Sequence, residues 1–367
     1  MSSQPPGRLL HILGLGFGLA GAVGGTIGAG ILRTPGLVAA QLPSLPLVHG
    51  AWLVGGLYAL LGAVCAAELA AALPQAGGWY VYAERAFGRR AGLLVGWTDW
   101  LAHCIGLAWV ATTVGELVQG LLSAALPAGL PLVKEIAFAT LALFAAIQLG
   151  GLKAGSASQE WLSLAKALAL LLLVAGCFLL PPPAQAQLAA VPAMPLSPAA
   201  SWRSLTAASV LALQAVVTTY DGWASPVYFA EEFSTPERDL PRSLIGGVLA
   251  VILLYLLINA ALLHVLPLPL LAGSPLPAAL AAQLLVGPAG GAVITAVALV
   301  ALLGLINTVV MAAPRILYGL GRDGLLPGFT SSVNAGGTPS TALLLTSGSA
   351  ALLVLAGSFE QLLAMGA

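Results

Sequence analysis

Five ionisable side chains stand inside long apolar runs, where an unpartnered charge costs about 2.5–3.5 kcal/mol on insertion scales. They are Asp99, His103 and Glu116 in one run, Lys166 in WLSLAKALALLLLVAG, and Asp221 in TTYDGW. Each needs a partner or a task. Asp99 and His103 are four residues apart, so on a helix they face the same side and could pair; a satisfied polar pair and a proton relay both fit. Lys166 lies about two turns from the expected end of its span, so it could snorkel outward. Alternatively it is desolvated, and an ammonium group out of water releases its proton more readily. Asp221 either pairs with a neighbouring helix or borders a cavity.

Backbone could do chemistry here as well. GLGFGLAGAVGGTIGAGILRTPG holds eight glycines between Gly14 and Gly30, and each costs a helix about 1 kcal/mol relative to Ala. Close helix packing explains Gly14, Gly18 and Gly21. The cluster from Gly25 to Gly30 predicts a local unwinding at Ile27–Gly30. Such a break exposes free N–H groups at the start of the second half-helix, which suit a carboxylate. It also exposes free carbonyls at the end of the first, which suit an ammonium group or a cation. The Asp221-Gly222 pair predicts a second discontinuous helix with Asp221 near the cavity. Gly28 and Gly222 occupy corresponding places in two runs of five predicted spans, as an internal repeat requires.

The elements that must position these groups follow from composition. Hydrophobic residues make up 59% of the chain and charged residues 7%, whereas soluble domains are about a quarter charged. Lipid is therefore the solvent, and the absence of strand-like alternation excludes a membrane barrel. The pattern predicts an all-α membrane protein with nine spans, at about 11–40, 48–73, 91–125, 133–149, 159–180, 206–230, 243–267, 290–319 and 340–356. Nine Lys and Arg (Arg8, Arg85, Arg89, Arg90, Lys153, Arg238, Arg242, Arg315, Arg322) lie on the side of the N-terminus, against Arg33, Lys134 and Arg203 opposite. The positive-inside rule then puts the N-terminus in the cytoplasm, with the chain in the cell (inner) membrane. Connections 181–202 and 268–290 would cap the outer face. Cys65, Cys104 and Cys177 lack metal or CxxC spacing and read as small buried residues. Zero net charge and no basic run offer nothing to nucleic acid. No P-loop, HExxH or GxSxG is present, so neither cofactor nor metal is expected and an enzyme is disfavoured.

Four long motifs, in order, carry a family resemblance. GGTIGAGILRTPG resembles the helix 1 signature of the amino acid–polyamine–organocation superfamily, especially its L-type amino acid transporter branch. AAELAAALPQAGGWYVYAERAFG is similar to its helix 2 and following segment, TTYDGWASPVYFAEEFSTPERDLPRSL to helix 6, and NTVVMAAPRILYGLGRDGLLP to helix 8. The resemblance implies a LeuT-like inverted-repeat fold in one transmembrane domain, with a first repeat over about 11–180 and a second, incomplete one over about 206–367. It implies a carboxylate bound by N–H groups around Gly28, Ala29, Gly30 and Ile31. An ammonium group would meet carbonyls near Thr26, Ile27, Thr218 and Asp221, with Thr219, Tyr220, Gly222 and Trp223 shaping the pocket. Lys166 would occupy the cation position beside helix 1, and Glu68, Glu231 and Glu232 would gate or form ion pairs, with Arg85, Arg238 or Arg242 as partners.

The implied activity is secondary active transport of amino acids, neutral ones first, by alternating access with proton coupling or exchange. The family often has Ser where Ala29 stands and an aromatic gate where Thr218 stands. The last ten residues fall where helix 10 should begin, so a C-terminally truncated chain is expected. A non-transporting binding or sensor protein, or an inactive fragment, is the alternative.

Overall fold

The computed structural model describes residues 8–122, 132–181, 183–184, 188–189, 191 and 202–357. Its helices are α1 (Leu15–Thr26), α2 (Gly30–Gln41), α3 (Leu45–Ala72), α4 (Trp79–Phe87), α5 (Arg89–Leu122), α6 (Val133–Leu149) and α7 (Leu152–Leu179). Then come α8 (Trp202–Tyr220), a 3-10 segment (Ser225–Glu232), α9 (Pro236–Val265), α10 (Leu268–Gly273), α11 (Pro277–Val286), α12 (Ala289–Arg322) and α13 (Ser340–Ala356). Five of them, α3, α5, α7, α9 and α12, are long and apolar enough to cross a bilayer unaided, and the bent pair α1–α2 makes a sixth span. With α6 and α13 at 17 residues each, and α8 with its 3-10 continuation, the nine predicted spans all have helical counterparts.

The boundaries differ in instructive ways. The fifth span starts at Leu152, not near 159, because Gly151, at a φ of 110°, turns the chain directly into the helix. The sixth is two arms, the discontinuous helix that the Asp221-Gly222 pair predicts. Apolar side chains of α3 and α7 such as Leu61 and Leu172 point outward, as a lipid solvent allows. Between helices, close packing of small residues replaces the hydrophobic effect as the main attraction. A Cβ on Gly247 of α9 would lie 2.5 Å from that of Ala22 in α1, and one on Gly55 of α3 would lie 2.4 Å from Val216 of α8.

The connection after α9 forms α10 and α11, which pack against α2 and α12. Gly36 of α2 lies so close to it that a Cβ would stand 2.6 Å from the Ser274 carbonyl. Cys104 and Cys177 are buried as expected, but Cys65 is exposed on α3. The expectations for 358–367, and for most of 181–202, lie outside the described residues.

Candidate site at two facing helix breaks

In the first span α1 ends at Thr26, Ile27–Ala29 are unwound, and α2 resumes at Gly30 on an axis bent by 46°. In the second, α8 ends at Tyr220 and the chain turns through Gly222, at a φ of 103°, before the 3-10 arm begins at Ser225. The two breaks touch through their backbones. A Cβ on Gly25 would sit 2.4 Å from the Gly222 carbonyl oxygen, and one on Gly222 would sit 2.3 Å from the Gly25 oxygen. Gly222 is thus required twice, for its left-handed φ and for the close approach. Asp221 Oδ1 accepts the Gly222 N–H at 2.8 Å, and Ser225 Oγ donates to the Gly222 carbonyl at 2.7 Å. On the far side, Thr34 and Thr219 share a hydroxyl hydrogen bond of 2.8 Å between α2 and α8.

The α2 terminus has the expected open donors. Gly28 N–H turns back to the Thr26 carbonyl, but among the described residues the N–H groups of Ala29, Gly30 and Ile31 meet no acceptor. The carbonyls of Thr26 and Ile27 differ from expectation, since neither oxygen is free. Thr26 O accepts Tyr255 Oη at 3.0 Å besides Gly28 N–H, and Ile27 O accepts Lys166 Nζ at 3.0 Å. The reason is that an unpartnered carbonyl in a water-free interior is costly. Tyr255 also donates to Thr219 O at 3.2 Å, so one side chain of α9 spans both helix ends. The carbonyls of Tyr220 and Asp221 accept no hydrogen bond among the described residues. Asp221, Thr218 and Gly30 are exposed, and the Thr218 hydroxyl donates back to Gln214 O. Tyr220 is buried edge-on against Trp52, and Trp223 stacks edge-on to Trp79 over Gly62.

Lys166 does not snorkel. It is 0% exposed, and its ammonium group donates to Gly24 O at 2.6 Å and Ile27 O at 3.0 Å, at the end of α1. Gly304 of α12 leaves the room, since a Cβ there would stand 2.8 Å from Lys166 Cε. Below it, Ser163 and Gln159 both donate to Ala20 O, at 2.8 and 3.3 Å. Asn307 ties Gln159 to Gln148. Residues 159, 163 and 166 thus form one polar stripe of α7 laid on the α1 backbone. In the sequence Lys166 alone is conspicuous, although the i, i+4, i+7 spacing of Gln159, Ser163 and Lys166 is legible there; Tyr255 and Asn307 carry no such signal.

At the end where α1 begins, the acidic pair is held by partners other than those expected. Glu231 pairs with Arg322 and accepts the Ala76 N–H, while Glu232 takes both ends of the Arg315 guanidinium at 2.9 Å. Arg85, Arg238 and Arg242 are exposed, and they and Glu68 form no ion pair among the described residues. Sequence distance hid the true partners, which α12 brings back across the bundle. Arg322 also holds Asp323, to which Tyr80 Oη donates at 2.9 Å. Burial alone would raise the Asp323 carboxyl, but hydrogen bonds and charge from Arg322 hold it below the usual carboxylate range. Leu13 and Phe233 form a parallel bridge, stitching the start of α1 to the end of the 3-10 arm. Asp99 and His103 do pair, at 3.2 Å, and Tyr228 of the 3-10 arm donates to both Asp99 oxygens.

Comparison with known proteins identifies the family and the fold. The amino acid permease family model matches residues 14–367. The serine/threonine exchanger SteT of Bacillus subtilis is 29% identical over 316 residues, covering 86% of this chain and 69% of the relative. The branched-chain amino acid permease BcaP of Lactococcus lactis is 28% identical over 337 residues, with 88% and 70% covered. The b(0,+)-type amino acid transporter 1 of Mus musculus is 28% identical over 353 residues, with 95% and 71% covered. A solved nucleobase-cation-symport-1 family transporter, closed around bromovinylhydantoin, superposes with a TM-score of 0.61 at 16% identity, over 100% of this chain and 78% of that one. That likeness concerns the fold, an all-helical transporter architecture of the LeuT-like kind. An integral, multi-pass helical protein with two facing broken spans and a family match over nearly its whole length, the chain belongs to the amino acid permease family.

Proposed function

We propose that the chain is a secondary active transporter for neutral amino acids, working by alternating access with proton coupling or amino-acid exchange. The observation that carries this reading is the set of open N–H groups on Ala29, Gly30 and Ile31, at the start of a helix and beside the second break. Unpaired N–H groups and the positive end of a helix dipole favour a carboxylate. Carbonyls of Tyr220 and Asp221 are open to an ammonium group, and Gly28, Thr218, Thr219, Gly222 and Trp223 border the two ends. Thr26 and Ile27 help by holding the break in shape, since their carbonyls already have donors.

Lys166 is the coupling residue in this reading, because it fills by itself the space a free cation would need at the α1 carbonyls. Asp221 adds a carboxylate at the site, and Glu231 closes the proximal end through Arg322. The membrane is the cell (inner) membrane with the N-terminus in the cytoplasm, supported by the Lys and Arg distribution. The device belongs to one transmembrane domain, with a first repeat over about 11–180 and a second, incomplete one over about 206–367.

Uptake of a labelled amino-acid panel by proteoliposomes tests this. The reading expects saturable uptake of a neutral amino acid, competed by its unlabelled form. Folded protein that binds an amino acid yet moves none across the bilayer would overturn transport and leave a binding or sensor role.

A further inference from the structure

The Asp99–His103–Tyr228 group has no part in holding an amino acid at the breaks, and it is built more completely than a chance polar pair. His103 Nδ1 lies 2.8 Å from the Asp99 backbone carbonyl and 3.2 Å from Asp99 Oδ1. A backbone carbonyl can only accept, so Nδ1 carries the hydrogen and Nε2 is left with an open lone pair. Tyr228 Oη donates to the Asp99 carboxylate at 3.1 and 3.2 Å, and its ring stands edge-on to the imidazole with centroids 5.2 Å apart. Asp221, at the break itself, is near enough to act electrostatically on both His103 and Tyr228. The imidazole therefore faces a carboxylate from its own helix and a phenol from the 3-10 arm, with the Asp221 carboxylate acting on it only through its charge. The side chains of His103 and Asp99 keep 21% and 16% of their surface accessible, which gives a proton a way in.

We propose that His103 is a proton-binding site, separate from Lys166, that joins α5 to the broken sixth span through Asp99, Tyr228 and Asp221. The proton adds to Nε2, and the imidazolium keeps its Nδ1–H bond to Asp99. With His103 neutral, the two carboxylates leave the group at a charge of −2; with the proton bound it falls to −1. Like charges on α5 and on the break then repel less, so protonation favours the docked arrangement in which Tyr228 holds the arm to α5. Histidine is suited to this because its charge changes between about pH 5 and 8. Lys166 sits on α7 against α1 and acts on the other broken span, so the two sites bear on different arms. The effect on transport rests on the permease reading, whereas proton binding at His103 does not.

Histidine-selective carbon-13 NMR of the full chain in lipid nanodiscs tests the site. The chain has four histidines, and His103→Gln identifies its resonance by loss. If that variant does not fold, His11→Gln, His49→Gln and His264→Gln identify it by elimination. The expected result is a His103 resonance that titrates between about pH 5 and 8, with a midpoint that moves in Asp99→Asn and in Asp221→Asn. A resonance that does not titrate in that range, or a midpoint identical to wild type in both variants, would overturn the proposal. Titration as expected in a protein that takes up no amino acid would leave the proton site standing and count against the transport reading instead.

Discussion

Lys166 donates to two carbonyls at a point where the α1 helix has run out of N–H donors of its own. Its ammonium group is therefore both a structural plug and a charge set directly against the break. Lys166→Met keeps much of the bulk and removes the donors, leaving Gly24 O and Ile27 O each short of a partner, at a cost of about 1–3 kcal/mol apiece. In the proposed mechanism the proton on Lys166 is also part of the cycle. The pH dependence of amino-acid uptake should flatten in Lys166→Met and shift in Asp221→Asn, read from initial rates across a pH series. Unaltered profiles in both variants would count against the coupling assignment. The residues around this lysine show where sequence reading stops. A buried lysine is conspicuous by its cost, but the glycine that makes room for it, Gly304, and the tyrosine that closes the neighbouring carbonyl, Tyr255, gain meaning only when α12 and α9 are folded against α1.

The proximal ends of the sixth and eighth spans are fastened by charge pairs of two kinds. Glu232 and Arg315 are 0% and 1% exposed, bidentate, and supported by the Met311 carbonyl and the Phe229 ring. Removing one partner strands a buried charge and should cost about 3–5 kcal/mol. Thermal unfolding in detergent should therefore show Glu232→Gln and Arg315→Met each strongly destabilised, and the double variant less so than the two losses added. The Glu231–Arg322–Asp323 group is about a quarter exposed and holds the 3-10 arm to α12, so it fits a gate that opens and closes. Its pH behaviour has a definite sign. The Asp323 carboxyl lies below its usual range in the folded state, so the stability it contributes is complete above the unfolded value of about 3.9 and is lost as pH falls through the lower folded value. Acidification from pH 7 to 5 should leave the wild-type advantage over Asp323→Asn unchanged in melting experiments. An advantage that vanished by pH 5 would contradict the assignment. Both fastenings escaped the sequence because their partners are about 80 to 90 residues apart, and charge spacing reveals partners only within a turn or two of helix.

Across the whole molecule, the parts legible beforehand were those with a local physical cost. Nine apolar runs, a glycine cluster too dense for a helix and an Asp-Gly pair in mid-span each announce themselves against the demands of lipid. The depth at which two breaks meet does not, because Gly25 and Gly222 touch only after both spans fold. That contact is also where the functional account can be tested without disturbing any charge. A methyl group at either glycine would press on the other's carbonyl oxygen, at 2.4 or 2.3 Å, whereas at Gly28 it would meet Leu305 at an ordinary 3.8 Å. Overpacking of this kind costs about 1–3 kcal/mol, enough to move the two breaks apart. The decisive measurement is uptake of a labelled amino acid by proteoliposomes carrying wild type, Gly25→Ala, Gly222→Ala or Gly28→Ala at matched protein content. The account predicts uptake in the wild type, retained within a few-fold in Gly28→Ala and lost by tenfold or more in Gly25→Ala and Gly222→Ala. Wild-type rates in all three variants, or no uptake by folded wild type, would contradict it.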